Sequence, residues 1–123
     1  MLRFLKFYTV LKTLNFFKSI DSFVQVGAHD GEMHDPLRHF ILANKWHGIL
    51  IEPQQEMIKK VQHNYRYIDN LTYINAAVYN KRGKIILYKV NKAEDYSHTG
   101  WASINPNRFE KTIYEKDYIE ETV

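Results

Sequence analysis

The sequence predicts an α/β domain built on a parallel β-sheet, and two observations carry that prediction. Residues 23–26 and 48–51 are short apolar runs rich in β-branched side chains, as expected of buried strands. Between them, residues 36–45 carry apolar side chains at helical spacing. Strand–helix units in series indicate a parallel sheet, because a helix supplies the crossover between parallel strands.

The composition is that of one globular domain. The chain has 123 residues, of which 45% are hydrophobic and 25% are charged. It contains no cysteine, which excludes disulfides and thiolate metal sites and fits a reducing compartment, so we expect a cytoplasmic protein. The net charge of +3 is too small to indicate a nucleic-acid partner, and we expect none.

Residues 1–22 are predicted to form an N-terminal amphipathic helical segment ahead of a domain that spans 23–123. Apolar residues recur in this segment at spacings of three and four. The charged residues between positions 1 and 19 are all basic: Arg3, Lys6, Lys12 and Lys18. Such a helix either covers the sheet with its lysines in solvent or docks on an anionic membrane surface. We favour the covering helix.

The other elements are predicted from periodicity and turn residues. Asp35 is a suitable N-cap, and Pro36 a suitable first residue, for the helix over 36–45. The elements that follow are a helix over 54–67, a strand over 71–78, a turn over 80–83, a strand over 84–90, a short helix after Asn107 and a strand starting near Ile119. The strands over 71–78 and 84–90 are predicted to pair as an antiparallel hairpin at the sheet edge.

A glycine-bearing loop follows the first strand and is the first candidate for a site. Gly27 and Gly31 bracket His29 and Asp30, and glycines let a backbone turn sharply or approach a ligand closely. Glu52 ends the next strand, where an acid can accept hydrogen bonds from both hydroxyls of a ribose. The alternative is a structural turn beside a surface acid. The combined spacing favours a nucleotide-type site at the carboxyl edge of the sheet.

The third strand contributes a second candidate region. Asn75, Ala76 and Ala77 lie near its end, where small side chains would leave space for a flat base. An ordinary strand end explains the same residues equally well.

These segments together resemble the FkbM-type methyltransferases. The resemblance rests on Phe23–Gly31, Asp35–Leu37, Trp46–Pro53, Asn75–Val78 with Gly83, and Gly100–Ser103, which occur in the family's order. It implies a Rossmann-like class I sheet and S-adenosylmethionine as cofactor. The cofactor-binding residues that it implies are Gln25, Gly27, Ala28, His29, Asp30, Gly31, Glu52, Pro53, Asn75 and Ala76. Gln25 stands where many members have an acid, and His29 where Asn is usual; both side chains can still hydrogen-bond.

The resemblance also implies an activity and a longer chain. The expected reaction is O-methylation of a sugar or another hydroxylated small molecule. In the family, a further strand with an acidic motif follows the segment that ends here at Val123. We therefore expect a fragment whose sheet stops after the first three or four strands, which is inactive alone and leaves its first strand as an unpaired apolar edge. The catalytic base is expected beyond Val123 or within residues 98–103.

Two other functions remain open from the residues. An NAD-type oxidoreductase domain would also use a glycine loop followed by a ribose-binding acid, although the third glycine of that fingerprint is missing. A non-catalytic interaction module could use the open sheet edge to pair with a partner. A metal site is not expected, because the histidines and acids of residues 29–35 lack the spacing of a zinc motif.

Overall fold

A computed structural model describes residues 2–123, and it describes side chains from residue 5 onward. The helices are α1 (Leu2–Lys18), α2 (Arg38–Asn44), α3 (Gln55–Asn64) and a 3-10 helix (Tyr96–Trp101), which we call the strap. The strands are β1 (Ser22–Val26), β2 (His47–Ile51), β3 (Leu71–Ile74), β4 (Ile86–Val90) and β5 (Tyr118–Thr122).

The first three strands form the parallel sheet that the sequence predicts. Their order is β1-β2-β3, with α2 and α3 as the crossovers. Val24 pairs with Ile49, and Ile49 pairs in turn with Thr72. This arrangement is the start of a Rossmann-like sheet, and β1 lies at its edge within the described chain.

One face of this sheet is covered and the other is open. The covered face packs against α2 and α3 around a buried cluster of Ala28, Ile41, Leu50, Val61 and Tyr65. Side chains alternate between the two faces of a strand. The alternate positions Val24 and Val26 are therefore on the open face, where they are 62% and 60% exposed.

The predicted hairpin between the third and fourth strands is wrong. β3 ends at Ile74 and pairs in parallel with β2, whereas β4 pairs antiparallel with β5 in a separate two-stranded sheet. The Asn75 side chain donates to the backbone carbonyls of Glu52 and Pro53, and this contact coincides with the end of β3. Residues 75–85 are then too long a connection for a tight hairpin.

Helix boundaries also differ from the prediction. The α2 helix begins at Arg38 rather than Pro36, and Asp35 accepts the N–H of Leu37 in the preceding turn instead of capping the helix. The α3 helix ends at Asn64. Residues 106–117 form successive turns rather than a helix, while β5 confirms the strand predicted near Ile119.

The α1 helix forms, but it is not amphipathic and does not cover the sheet. Its lysines at positions 6, 12 and 18 are about 120° apart around the helix, so apolar side chains lie on every side of it. The ring of Tyr8 packs against His39 and Phe40 of α2, while the open face of the sheet remains exposed. Within residues 2–123, no helix combines the length and apolarity needed to cross a membrane.

Candidate functional site

The candidate site lies at the carboxyl edge of the parallel sheet, where three connecting segments meet. The glycine loop 27–31 follows β1, Glu52 follows β2 and Asn75 follows β3. Parallel strands bring the residues after them to one edge of a sheet. The Gly27 and Ala28 N–H groups donate to the carbonyl of Ile51, which fixes the loop beside the end of β2.

The two glycines of the loop share a backbone conformation but have different surroundings. Both have a left-handed backbone, with φ of 72° at Gly27 and 70° at Gly31. A Cβ added at Gly31 would lie 2.6 Å from the ring of the buried Tyr65, whereas a Cβ at Gly27 would meet no atom within 4 Å. Gly31 therefore permits close packing on α3, and Gly27 borders open space.

Asp30 is a structural carboxylate that orders the loop. It is 5% exposed and accepts the N–H groups of Glu32 and Met33 at 2.9 and 2.8 Å. The hydroxyl of Tyr96 donates to its other oxygen at 2.7 Å. Burial alone would raise the pKa of Asp30, but these hydrogen bonds and the neighbouring His29 outweigh it and lower the pKa to about 2.

Glu52 is also buried, with 3% of its surface exposed, and it links the ends of the first two strands. One carboxylate oxygen accepts the N–H of His29 at 2.8 Å, and the other accepts the N–H of Gln54 at 3.0 Å. A carboxylate offers about four acceptor sites. The two backbone donors therefore leave Glu52 able to accept two further hydrogen bonds.

The residues after β3 adjoin this carboxylate. The amide of Asn75 bonds the backbone of Glu52 and Pro53 at 2.9 and 2.8 Å. Asn75 and Ala76 line an open cavity of about 270 Å³, and the basic residues Lys81 and Arg82 line it as well. The small side chain of Ala76 thus borders free space, and its place beside a base stays a prediction.

Gln25 lies on the covered face of β1 and is tied to the turn before α2. Its Nε2 donates to Asp35 at 3.0 Å, and Asp35 also accepts the hydroxyl of Tyr65 at 2.9 Å. Burial, and then the charge of Asp35, raise the pKa of Tyr65, so its proton stays in place. The Oε1 of Gln25 is buried and finds no partner among the described residues.

The strap is the part of the site that sequence reasoning missed. Thr99 contacts the ring of His29, with 2.7 Å between Oγ1 and Nε2, and its carbonyl accepts the side-chain amide of Gln54 at 3.1 Å. Tyr96 bonds Asp30, and burial followed by that hydrogen bond raises the pKa of Tyr96. The strap is therefore fastened to the two residues whose N–H groups hold Glu52. The resemblance at Gly100–Ser103 was the sequence signal for this neighbourhood, but it did not indicate these contacts.

The donor and acceptor set of this edge fits a ligand that carries hydroxyl and amino groups. Gln25 Oε1 is buried and makes no hydrogen bond within the described chain, whereas His29 Nδ1 lies 3.4 Å from the carboxylate of Asp30. Glu52 retains acceptor capacity, and Gly27 faces free space. Buried polar groups normally have partners, so Gln25 Oε1 is an acceptor that the described chain leaves unused.

Comparison with known proteins gives the family. The family model of the Methyltransferase FkbM domain matches residues 25–123, which run from the end of β1 through β2, β3, the strap and the β4–β5 pair. No curated protein and no solved structure matches the chain. The chain belongs to the FkbM methyltransferase domain family.

Proposed function

We propose that this chain binds S-adenosylmethionine at the carboxyl edge of β1–β3 and takes part in methyl transfer to a hydroxyl group of a sugar or a similar small molecule. The observation that carries the proposal is the Glu52 carboxylate, held at the tip of β2 beside the glycine loop with two acceptor sites to spare. Family membership supports methyl transfer as the reaction class.

The chain's own residues would bind and orient the cofactor. Glu52 would accept the two ribose hydroxyls, and the backbone at Gly27 would leave space for the methionine part. Asn75 and Ala76 would border the adenine. When bound, S-adenosylmethionine supplies an electrophilic methyl group on a sulfonium. Positioning is the main contribution expected of the protein, because in-line transfer depends on the alignment of the two reactants.

The strap lies beside the residues that hold Glu52, where a bound cofactor would meet it. Because Glu52 is 3% exposed, a ribose would reach its carboxylate only when a neighbouring segment shifts, and the strap is bonded to both His29 and Gln54. Amide hydrogen exchange in the strap is therefore expected to change when S-adenosylhomocysteine, the demethylated cofactor, is added.

The test is a thermodynamic cycle on the full-length protein. We expect the 2′-deoxy analogue of S-adenosylhomocysteine to bind more weakly than S-adenosylhomocysteine by about 1–3 kcal/mol, or roughly 5- to 150-fold in Kd, because a buried acceptor loses its donor. In the Glu52→Gln variant this difference should shrink towards zero, since the ribose contact is already impaired. Isothermal titration calorimetry measures all four affinities.

The matched control is Glu56→Gln, which removes an exposed acid from the first turn of α3. It should leave both affinities and their difference unchanged. A 2′-hydroxyl effect that persists in Glu52→Gln would remove Glu52 from the ribose site. Tight binding of NADH without binding of S-adenosylhomocysteine would refute the methyl-donor proposal itself.

A further inference from the structure

A stripe of apolar side chains on α1 faces solvent. Phe7, Val10, Leu14 and Phe17 follow one another at spacings of three and four, which places them on one side of the helix. They are 43%, 54%, 42% and 75% exposed. We call these four residues the α1 stripe. Exposed apolar groups gathered in this way mark interaction surfaces more often than isolated ones do.

The body of the protein leaves this stripe uncovered. The helix meets α2 through Tyr8 and Asn15, whose positions lie on a different side of α1 from the stripe. Leu11, which lies between that side and the stripe, is half-buried, in contrast to the four stripe residues. The stripe therefore stays accessible while α1 remains attached to α2.

The charges around the stripe have one sign. The three lysines are spread evenly around the helix at about 120°, so Lys6 and Lys18 flank the stripe on its two sides and Lys12 lies opposite it. The sequence of α1 contains no acidic residue. Two copies joined through their stripes would bring these lysines together, and like charges at close range repel. An anionic surface would instead attract them.

We propose that the α1 stripe docks this protein on an anionic membrane surface, with Phe7, Val10, Leu14 and Phe17 entering the lipid interface and Lys6 and Lys18 meeting the headgroups. Although α1 carries apolar side chains on its other sides too, the stripe is its longest exposed apolar row among the described side chains. Binding at a lipid interface grows with the buried apolar area and with electrostatic attraction to anionic lipids. Each lysine close to an anionic leaflet adds to the attraction, which salt weakens. The helix would lie on the membrane and would not cross it. This inference goes beyond methyl transfer and does not depend on the cofactor site.

The experiment is co-sedimentation of the full-length protein with vesicles of phosphatidylcholine, alone or mixed with about 30% phosphatidylglycerol. We expect binding to the anionic vesicles, little binding to the neutral ones, and weakening as salt rises. Phe17→Asp should reduce the binding constant at least about tenfold, because it removes an aromatic ring from the lipid contact and adds a negative charge.

Phe16→Asp is the matched control. Phe16 is 82% exposed on the same helix but lies away from the stripe. The Phe16→Asp substitution therefore adds the same negative charge to α1 and leaves the Phe17 ring in place. Its effect should be clearly smaller than that of Phe17→Asp. Lys18→Gln should likewise weaken binding more than Lys12→Gln does, and this pair gives the test should an aspartate variant fail to fold.

Several outcomes would overturn the proposal. Equal losses in the two phenylalanine variants, or equal binding to neutral and anionic vesicles, would show that the stripe does not select an anionic surface. A vesicle-independent dimer that Phe17→Asp abolishes would assign the stripe to a second copy of the chain. A large fall in melting temperature for Phe17→Asp, with no vesicle binding of the parent protein, would mean that another part of the protein covers the stripe.

Discussion

Gly31→Ala is expected to lower the free energy of unfolding by about 2–5 kcal/mol. Two effects add. The backbone at Gly31 has φ of 70°, where an L-residue is strained by about 1–2 kcal/mol. The new Cβ would also lie 2.6 Å from the ring of Tyr65, which is 1% exposed and bonded to Asp35, so the ring has little freedom to retreat. Overpacking of this kind costs about 1–3 kcal/mol.

Gly27→Ala separates the two effects. Its backbone strain is similar, with φ of 72°, but the added Cβ would meet no atom within 4 Å. We expect only the strain of about 1–2 kcal/mol, together with weaker binding of S-adenosylhomocysteine if the cofactor occupies the space beside Gly27. Urea denaturation of both variants measures the difference. Equal losses of stability would contradict the contact between Gly31 and Tyr65.

Asp30→Asn is expected to destabilise the protein by about 2 kcal/mol near pH 6, and the loss should be pH-dependent. The pKa of Asp30 falls from its ordinary value of 3.8 to about 2 on folding. A lowered pKa means that the ionised carboxylate stabilises the folded state. This contribution is fully present above about pH 4 and is lost as the pH falls through about 2. The gap between the parent protein and the variant should therefore close across this window.

The measurement is the unfolding free energy by urea at several pH values from 6 down to about 2. The difference between parent and variant is taken at each pH, so that the contributions of the other carboxylates cancel. Asp69→Asn makes the same substitution at an exposed turn and serves as the control. A gap for Asp30→Asn that stays constant with pH would mean that hydrogen-bond geometry, rather than the charge of Asp30, accounts for the lost stability.

Much of the site follows from local sequence. The β-branched run at 23–26 and the apolar run at 48–51 are strands, and their order predicted parallel pairing that the structure confirms. Local signals were sufficient there, because a helix between two buried strands leaves few topologies open. The same order of strands brings the glycine loop and Glu52 to one edge of the sheet. The resemblance of the motifs to the FkbM family is confirmed by the family model.

The pairing partner of the strand over 84–90 could not be predicted from the sequence. The run over 84–90 has the pattern of a strand, but such a pattern does not specify which strand it pairs with. The structure pairs β4 with β5, almost thirty residues later, rather than with its sequence neighbour β3. Cross-strand packing over such separations depends on the whole fold, and periodicity within one segment carries no information about it.

The sequence by itself determined the α/β class, the parallel start of the sheet, the glycine loop and the acid after β2, because each depends on residues close together in the chain. Only the tertiary structure decided that α1 attaches to α2 and leaves its stripe exposed, and that the strap reaches across to Asp30 and His29. The Tyr96 hydroxyl and the Asp30 carboxylate are 66 residues apart in sequence. Contacts between such distant residues arise from the packing of separate elements against one another, which no local pattern records.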